Sequence, residues 1–320
     1  MSELLIFCTM SKELRQRLDA SFDTIDWQDG NADALLDMHA DNIKYAFTDG
    51  GTTIPSGVIE RLPALEFISN LGVGYDGVDT GVTNARGIIV SHTPSVLDQE
   101  VATTAVMLFL ACWRNFEAQM THARTGRWAT DGNLPLSRTA DGRTIGILGL
   151  GRIGKAIAAK LAPWSPTVLY HGRSEQDVPY QFMPDLVEMA KSCDTLINVA
   201  PGGEATHHLI DHTVLKALGP DGILINVGRG STVDEDALTD ALESGLLGMA
   251  GLDVFQAEPH IPARLRALKN VVLLPHVASA SIETRGAMAD LAINNLLSWR
   301  DKGKALSPIP ECLPLLRSSD

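Results

Sequence analysis

Arg229, Glu258 and His276 are a cation, a carboxylate and an imidazole, and each stands just past an apolar run that reads as a strand. Ile225-Asn226-Val227-Gly228-Arg229-Gly230 closes one such run. Leu252-Asp253-Val254-Phe255-Gln256-Ala257-Glu258-Pro259 follows the next, and Leu274-Pro275-His276-Val277-Ala278-Ser279 the one after. An arginine fork binds a carboxylate bidentately. A histidine exchanges protons near neutrality, and a neighbouring carboxylate favours its charged form. Reduction of a keto acid needs this set. A cation orients the carboxylate and polarises the carbonyl, a proton donor serves the carbonyl oxygen, and an acid keeps that donor charged. Singly, each residue has a plainer use, as a helix-capping cation, a loop carboxylate or a core histidine. Their recurrence at consecutive strand ends favours the chemical reading.

The element that must position them is Thr144–Gly154, TIGILGLGRIG. An apolar run, Ile145 to Leu148, enters Gly149-Leu150-Gly151-Arg152-Ile153-Gly154, and a helical stripe of Ile153, Ile157 and Leu161 follows. Strand, glycine turn and helix in that order form a dinucleotide site. Gly149 permits the turn, Gly151 lets a pyrophosphate approach the backbone, and Gly154 lets the helix pack near the strand. The helix N-terminus then faces the phosphates.

A dinucleotide site for NAD carries an acid about 20 residues past the glycines, bonded to the ribose 2′-hydroxyl. Here that stretch reads Leu169-Tyr170-His171-Gly172-Arg173-Ser174, with no acid. A guanidinium and a hydroxyl suit a 2′-phosphate. Arg173 and Ser174 therefore favour NADP over NAD, unless Arg173 is a solvated loop residue paired with Glu175.

Further strands are read at Val168–Tyr170, Thr195–Val199, Ile223–Val227, Gly251–Val254 and Val271–Leu274. Helices at Leu186–Lys191, Val214–Leu218 and Asp236–Leu242 alternate with them. This is a doubly wound parallel sheet of about six strands. Residues 1 to about 97 alternate in the same way, with strands at Leu4–Cys8, Ile43–Phe47, Leu65–Ile68 and Ile88–Val90. Helices are read at Lys12–Leu18 and Val58–Leu62. Their own glycine cluster, Leu71-Gly72-Val73-Gly74-Tyr75-Asp76-Gly77, follows a strand's carboxyl end. It is either an anion-holding backbone loop or a flexible turn. Asp98–Asn115 reads as a long apolar helix. Arg124–Arg143 has little periodicity and is either an arm around a partner subunit or a surface loop. Ile282–Trp299 is a long helix able to return to the first domain.

The chain has 320 residues, 45% of them hydrophobic, enough for about two domains. A net charge of −13 argues against nucleic acid or an anionic membrane as partner. Cys8, Cys112, Cys193 and Cys312 are scattered without metal spacing and read as thiols of a reducing compartment. Met1–Lys12 carries no signal-peptide run, and the longest apolar run, Ala105–Trp113, is far below the roughly 20 residues that span a bilayer. A cytoplasmic protein without a metal is expected.

The segments GILGLGRIG, VGRG (227–230), DVFQAEP (253–259) and LPHVAS (274–279), with LGVGYDGVD (71–79) and HTPSVLDQEVA (92–102), resemble the D-isomer-specific 2-hydroxyacid dehydrogenases. The resemblance runs through nearly the whole chain. It implies a flavodoxin-like substrate-binding domain, 1–97 plus 286–320, with a Rossmann-like dinucleotide-binding domain, 98–285, inserted. Arg229 would bind substrate, His276 act as acid/base and Glu258 as its partner. The backbone at Leu71, Gly72, Val73 and Gly74 would hold the substrate carboxylate. Cofactor contacts are expected at Gly149, Gly151, Arg152, Ile153, Gly154, Arg173, Ser174, Ala200, Pro201, Thr206, Val227, Asp253, His276 and Ser279.

The HGRS stretch looks like the NADPH-preferring glyoxylate/hydroxypyruvate reductases. Glu258 stands where formate dehydrogenase relatives carry Gln, and Thr103 stands where many members carry an acid. The expected activity is NADPH-dependent reduction of a small 2-keto acid to the D-2-hydroxy acid by a homodimer. The alternatives are a nucleotide-sensing corepressor-like binding protein and another oxidoreductase of the family, such as a phosphite oxidiser.

Overall fold

A computed structural model of the chain describes residues 3–28, 30 and 32–317. They form two compact units, one of residues 1–97 and 281–320, the other of 98–280. The first segment runs β1 (Glu3–Ile6), α1 (Lys12–Asp19), β2 (Asp23–Asp26), α2 (Ala32–His39), β3 (Ile43–Asp49), α3 (Ser56–Glu60), β4 (Phe67–Leu71), α4 (Thr80–Ala85) and β5 (Ile89–Ser91). The second unit follows with α5 (Asp98–Trp113), α6 (Phe116–Arg124), α7 (Arg127–Asp131), β6 (Thr144–Leu148), α8 (Arg152–Leu161), β7 (Thr167–His171), β8 (Gln181–Phe182), α9 (Leu186–Ser192) and β9 (Thr195–Asn198). It continues through α10 (His212–Leu218), β10 (Ile223–Asn226), α11 (Glu235–Ser244), β11 (Met249–Leu252), α12 (Ala263–Ala267) and β12 (Val271–Leu273). The chain ends in α13 (Ile282–Lys302) and α14 (Leu313–Arg317).

Among the described residues the first unit holds a parallel sheet of order β2-β1-β3-β4-β5. This is the flavodoxin-like order. The second holds a seven-stranded parallel sheet, β12-β11-β10-β9-β6-β7-β8. From β8 to β11 it follows the doubly wound dinucleotide order, whose direction reverses between β6 and β9. Strands β9 and β10 are buried along their whole length, as a sheet covered on both faces requires.

Several elements lay outside the sequence reading. Strand β2, Asp-Thr-Ile-Asp, is a polar edge strand with no apolar run to announce it. Strand β8 has two residues, which raises the expected six strands to seven. Helix α7 lies inside the stretch 124–143 read as aperiodic; it has five residues, none of them buried. Strand β4 starts two residues later than expected and runs to Leu71, so the first residue of the glycine cluster belongs to the sheet.

Helix α13 belongs to the first unit, where Ile293 and Leu296 join Leu4, Phe47 and Phe67 in its core. Buried Asn295 on this helix holds the segment that follows. Its Oδ1 accepts from the N–H groups of Leu306 and Ser307 at 2.9 and 3.0 Å, and its Nδ2 donates to Ser307 Oγ at 2.8 Å. Ser307 in turn accepts from His92 N–H, and Pro308 bridges Ser91 antiparallel to β5. Asn295→Ala strands two part-buried N–H groups and should cost roughly 1 to 2 kcal/mol of unfolding free energy in urea titration. Leu306→Ala, on an exposed side chain, should cost far less.

Candidate active site

In the second unit, β6 delivers the chain into the glycine turn. Gly149 has φ +97°, which a side chain rarely adopts, and a Cβ on Gly154 would collide with the Gly149 carbonyl. Gly151 has no atom within 4 Å of the position its Cβ would take. It is also the N-cap of α8, and no side chain caps that helix end. The exposed N–H groups and the open space above Gly151 fit a pyrophosphate.

At the carboxyl ends of β10, β11 and β12, the three chemistry-bearing residues fall into one cluster. His276 Nδ1 lies 2.6 Å from Glu258 Oε2, and Glu258 Oε1 accepts from the Phe255 N–H at 2.9 Å. Burial pushes the Glu258 carboxyl up. The hydrogen bonds from His276 and Phe255 and the charges of His276 and Arg229 outweigh burial and hold it below its ordinary value. Arg229 thus acts on the same carboxylate as His276. The Arg229 loop also packs directly on the main chain of Phe255 and Gln256, where a side chain on Gly230 would not fit.

His276 has φ +54°, a left-handed backbone uncommon outside glycine. Asp253, fully buried at the end of β11, holds it there. The Asp253 carbonyl accepts from His276 N–H at 2.8 Å, and its carboxylate accepts from Val277 and Ala278 N–H at 2.7 and 2.8 Å. Burial raises the Asp253 carboxyl against the pull of those two N–H groups. Asp253 was expected among the cofactor contacts; its two carboxylate oxygens are occupied by the loop that carries His276.

A buried polar network supports the neighbouring loops. Asn198 Nδ2 donates to Asn226 Oδ1 at 2.9 Å and to Thr232 Oγ1 at 2.6 Å. Asn198 Oδ1 accepts from Ala200 N–H, Asn226 Oδ1 accepts from Gly228 N–H, and the Arg229 carbonyl accepts from Asn226 and Thr232. Neither asparagine was singled out from sequence. The signal was present: Ile197-Asn198-Val199 and Ile225-Asn226-Val227 each place an amide in an otherwise apolar strand, which is costly unless bonded. Glu235 works on the other loop, accepting from Gln256 N–H at 3.2 Å; burial pushes its carboxyl up.

The loop after β7 exposes Arg173, Ser174 and Glu175. Among the described residues neither Arg173 nor Glu175 enters an ion pair, so the guanidinium stands available to a phosphate. Gln176 fastens this loop, donating to the Leu150 carbonyl of the glycine turn at 3.0 Å and bonding the buried Tyr170 hydroxyl through its N–H. Arg152 is held by Asp98 at 3.2 Å. Ile153 lies on the first turn of α8. Ala200 and Val227 are buried, Ser279 is half-buried and Pro201 exposed. Thr206 bonds the Pro201 and Gly203 carbonyls. Thr103 bonds the Gln99 carbonyl one turn back in α5.

Burial pushes the thiols of Cys8, Cys112 and Cys193 up to about 12, which removes them as nucleophiles. Among the described residues no group of three His, Cys, Asp or Glu is placed to hold a metal, and no helix is long and apolar enough to cross a membrane.

In the first unit, the backbone from Leu71 to Gly74 follows β4. Asn70 Nδ2 donates to the Gly72 and Gly74 carbonyls at 3.2 and 2.9 Å, and His92 Nδ1 reaches the Val73 carbonyl at 3.0 Å. Three carbonyls of this loop are thus tied to side chains of the same unit.

A dinucleotide-order sheet with an open glycine turn and an arginine, glutamate and histidine at its carboxyl edge defines a dinucleotide-linked oxidoreductase. Residues 106–278 match the family model of the D-isomer-specific 2-hydroxyacid dehydrogenase NAD-binding domain. The chain belongs to the D-isomer-specific 2-hydroxyacid dehydrogenases. It is 40% identical to glyoxylate/hydroxypyruvate reductase A of Arabidopsis thaliana, over 96% of this chain and 98% of that one. It is 38% identical to hydroxyphenylpyruvate reductase of Plectranthus scutellarioides at the same coverage. Among solved structures, it resembles the NADPH-dependent glyoxylate/hydroxypyruvate reductase of Sinorhizobium meliloti in complex with NADP and malonate. The TM-score is 0.91 and the identity 43%, over 97% of both chains.

Because the folded Glu258 carboxyl is depressed, its contribution to stability is fully present above the ordinary glutamate value. It is lost as pH falls through the lower, folded value. Carboxyl NMR titration of Glu258 should give a midpoint below about 4.3, the ordinary glutamate value. His276→Ala should move that midpoint upward, since burial is then less opposed.

Proposed function

We propose that this enzyme reduces a small 2-keto acid of the glyoxylate/hydroxypyruvate type to the D-2-hydroxy acid, with NADPH preferred over NADH. The observation that carries the reading is the His276–Glu258 contact of 2.6 Å, with Arg229 acting on the same acid. Bound NADPH supplies the hydride. Glu258 occupies Nδ1 of His276, so Nε2 is the nitrogen left to face substrate. The imidazolium gives its Nε2 proton to the carbonyl oxygen, and Glu258 offsets the positive charge until it does. Arg229 binds the substrate carboxylate and stabilises the developing alkoxide. The Leu71–Gly74 backbone takes the carboxylate through its N–H groups. The remaining expected contacts from Gly149 through Ser279, apart from the Asp253 carboxylate, hold the dinucleotide in the inserted unit, 98–280.

Arg173 and Ser174, exposed and with no acid in their place, support the choice of NADP, and the Sinorhizobium meliloti relative was crystallised with that cofactor. A homodimer is supported by Phe116, Trp128 and Leu136, large apolar side chains exposed on α6, α7 and the segment after them. A cytoplasmic location is supported by four free cysteines, three of them buried.

His276→Ala should lower kcat about 100- to 10,000-fold while NADPH still binds, followed by NADPH absorbance and by fluorescence titration. Arg229→Ala should raise KM for the keto acid and lower kcat together. Wild-type protein inert toward glyoxylate, hydroxypyruvate, phenylpyruvate and pyruvate would favour the corepressor-like binding protein. Phosphite oxidation with NADP as acceptor would favour the other oxidoreductase. Arg173→Ala should weaken NADPH binding about tenfold and leave NADH nearly unchanged; equal losses for both would remove Arg173 from cofactor choice.

A further inference from the structure

We infer that Asn70 is a positioning residue that fixes the anion-binding face of the Leu71–Gly74 backbone, with His92 as its second tether. This rests on the proposed role of that backbone as the carboxylate site.

Asn70 is fully buried near the end of β4. Its amide sends both hydrogens into the loop, to the carbonyls of Gly72 and Gly74. Two carbonyls can only accept, so the amide orientation is fixed. Its own Oδ1 is buried without a hydrogen-bond partner among the described residues. A buried unpartnered acceptor costs stability, so the fold alone gives little reason for an asparagine here. Buried Thr93 adds its N–H to the Gly72 carbonyl at 2.8 Å. His92 holds the carbonyl between them, that of Val73. Because a carbonyl cannot donate, this contact puts the ring proton on Nδ1. The Tyr75 ring meets His92 edge-on, with centroids 5.5 Å apart, and the Tyr75 hydroxyl bonds Glu311.

In a trans peptide the carbonyl and the following N–H point in opposite directions. Carbonyls 72 and 73 are held by buried partners, which turns the N–H groups of Val73 and Gly74 outward. Successive N–H groups on one side form an anion-binding concavity. Among the described residues neither Val73 nor Gly74 N–H donates to a protein acceptor. The preference for a carboxylate is thus written into three carbonyl tethers, none of which touches the substrate.

The test uses the full-length enzyme with NADPH. Asn70→Ala should raise KM for glyoxylate roughly tenfold to hundredfold. The inhibition constant of oxamate, a non-reducible keto acid analogue, should rise in parallel. NADPH affinity should stay within about twofold, and thermal stability should fall only modestly, because the Gly72 carbonyl keeps the Thr93 N–H and the orphaned oxygen leaves too. Asn70→Asp, which sets a carboxylate against two carbonyls beneath the anion site, should be worse than Asn70→Ala. His92→Leu should raise KM about tenfold, and His92→Asn, whose amide can stand where Nδ1 stands, should recover most of it. Normal glyoxylate KM and oxamate inhibition in both Asn70 variants and in His92→Leu would overturn the inference while leaving the reductase reading intact. Loss of NADPH affinity and stability alongside KM in the Asn70 variants, with His92→Asn no better than His92→Leu, would reduce Asn70 to a folding role. A wild-type enzyme inert to every keto acid and blind to oxamate would sink the reductase reading itself, and this inference with it.

Discussion

The contact between His276 and Glu258 imposes a demand on the backbone that much of the second unit serves. An imidazole and a carboxylate gain from meeting only if both are presented at fixed positions, because a mobile pair at half-exposed sites is screened by water and contributes little. Both sit on loops. Asp253 holds the histidine loop by three bonds and keeps residue 276 in a left-handed backbone that a free loop would leave. The Phe255 N–H fixes the other oxygen of Glu258. The orientation is bought at Asp253, a buried acid whose carboxyl is raised by its surroundings.

The same logic recurs across both units. Asn198 and Asn226 organise the loops after β9 and β10, Gln176 fastens the Arg173 loop to the glycine turn, and Asn70 holds the loop after β4. In each case a side-chain amide near a parallel strand's carboxyl end satisfies main-chain groups that the sheet ladder no longer serves. Amides suit this task because one group both donates and accepts without charge. The charged residues Arg173, Arg229, Glu258 and His276 stand on the loops they hold or beside them.

The arginine, glutamate and histidine at three strand ends, the glycine turn and the alternating strands were all legible because each depends on residue type at fixed spacing. Gly149 and Gly154 are demanded by local geometry, and apolar runs between helical patterns leave few folds open. The edge strands β2 and β8 and the short helix α7 escaped because they bury little apolar surface, and periodicity records only what burial imposes.

What the sequence by itself determined is the inventory: a dinucleotide fold, an arginine, a glutamate and a histidine at three strand ends, and an acid missing where NAD would want one. Only the tertiary structure decided which nitrogen of His276 meets Glu258, that Asp253 turns inward to hold a loop, and that the 71–74 carbonyls are tied down by Asn70 and His92. Those facts depend on hydrogen bonds between residues 2 to 25 positions apart. Such pairings follow no period along the chain, and folding alone brings them within 3 Å or so.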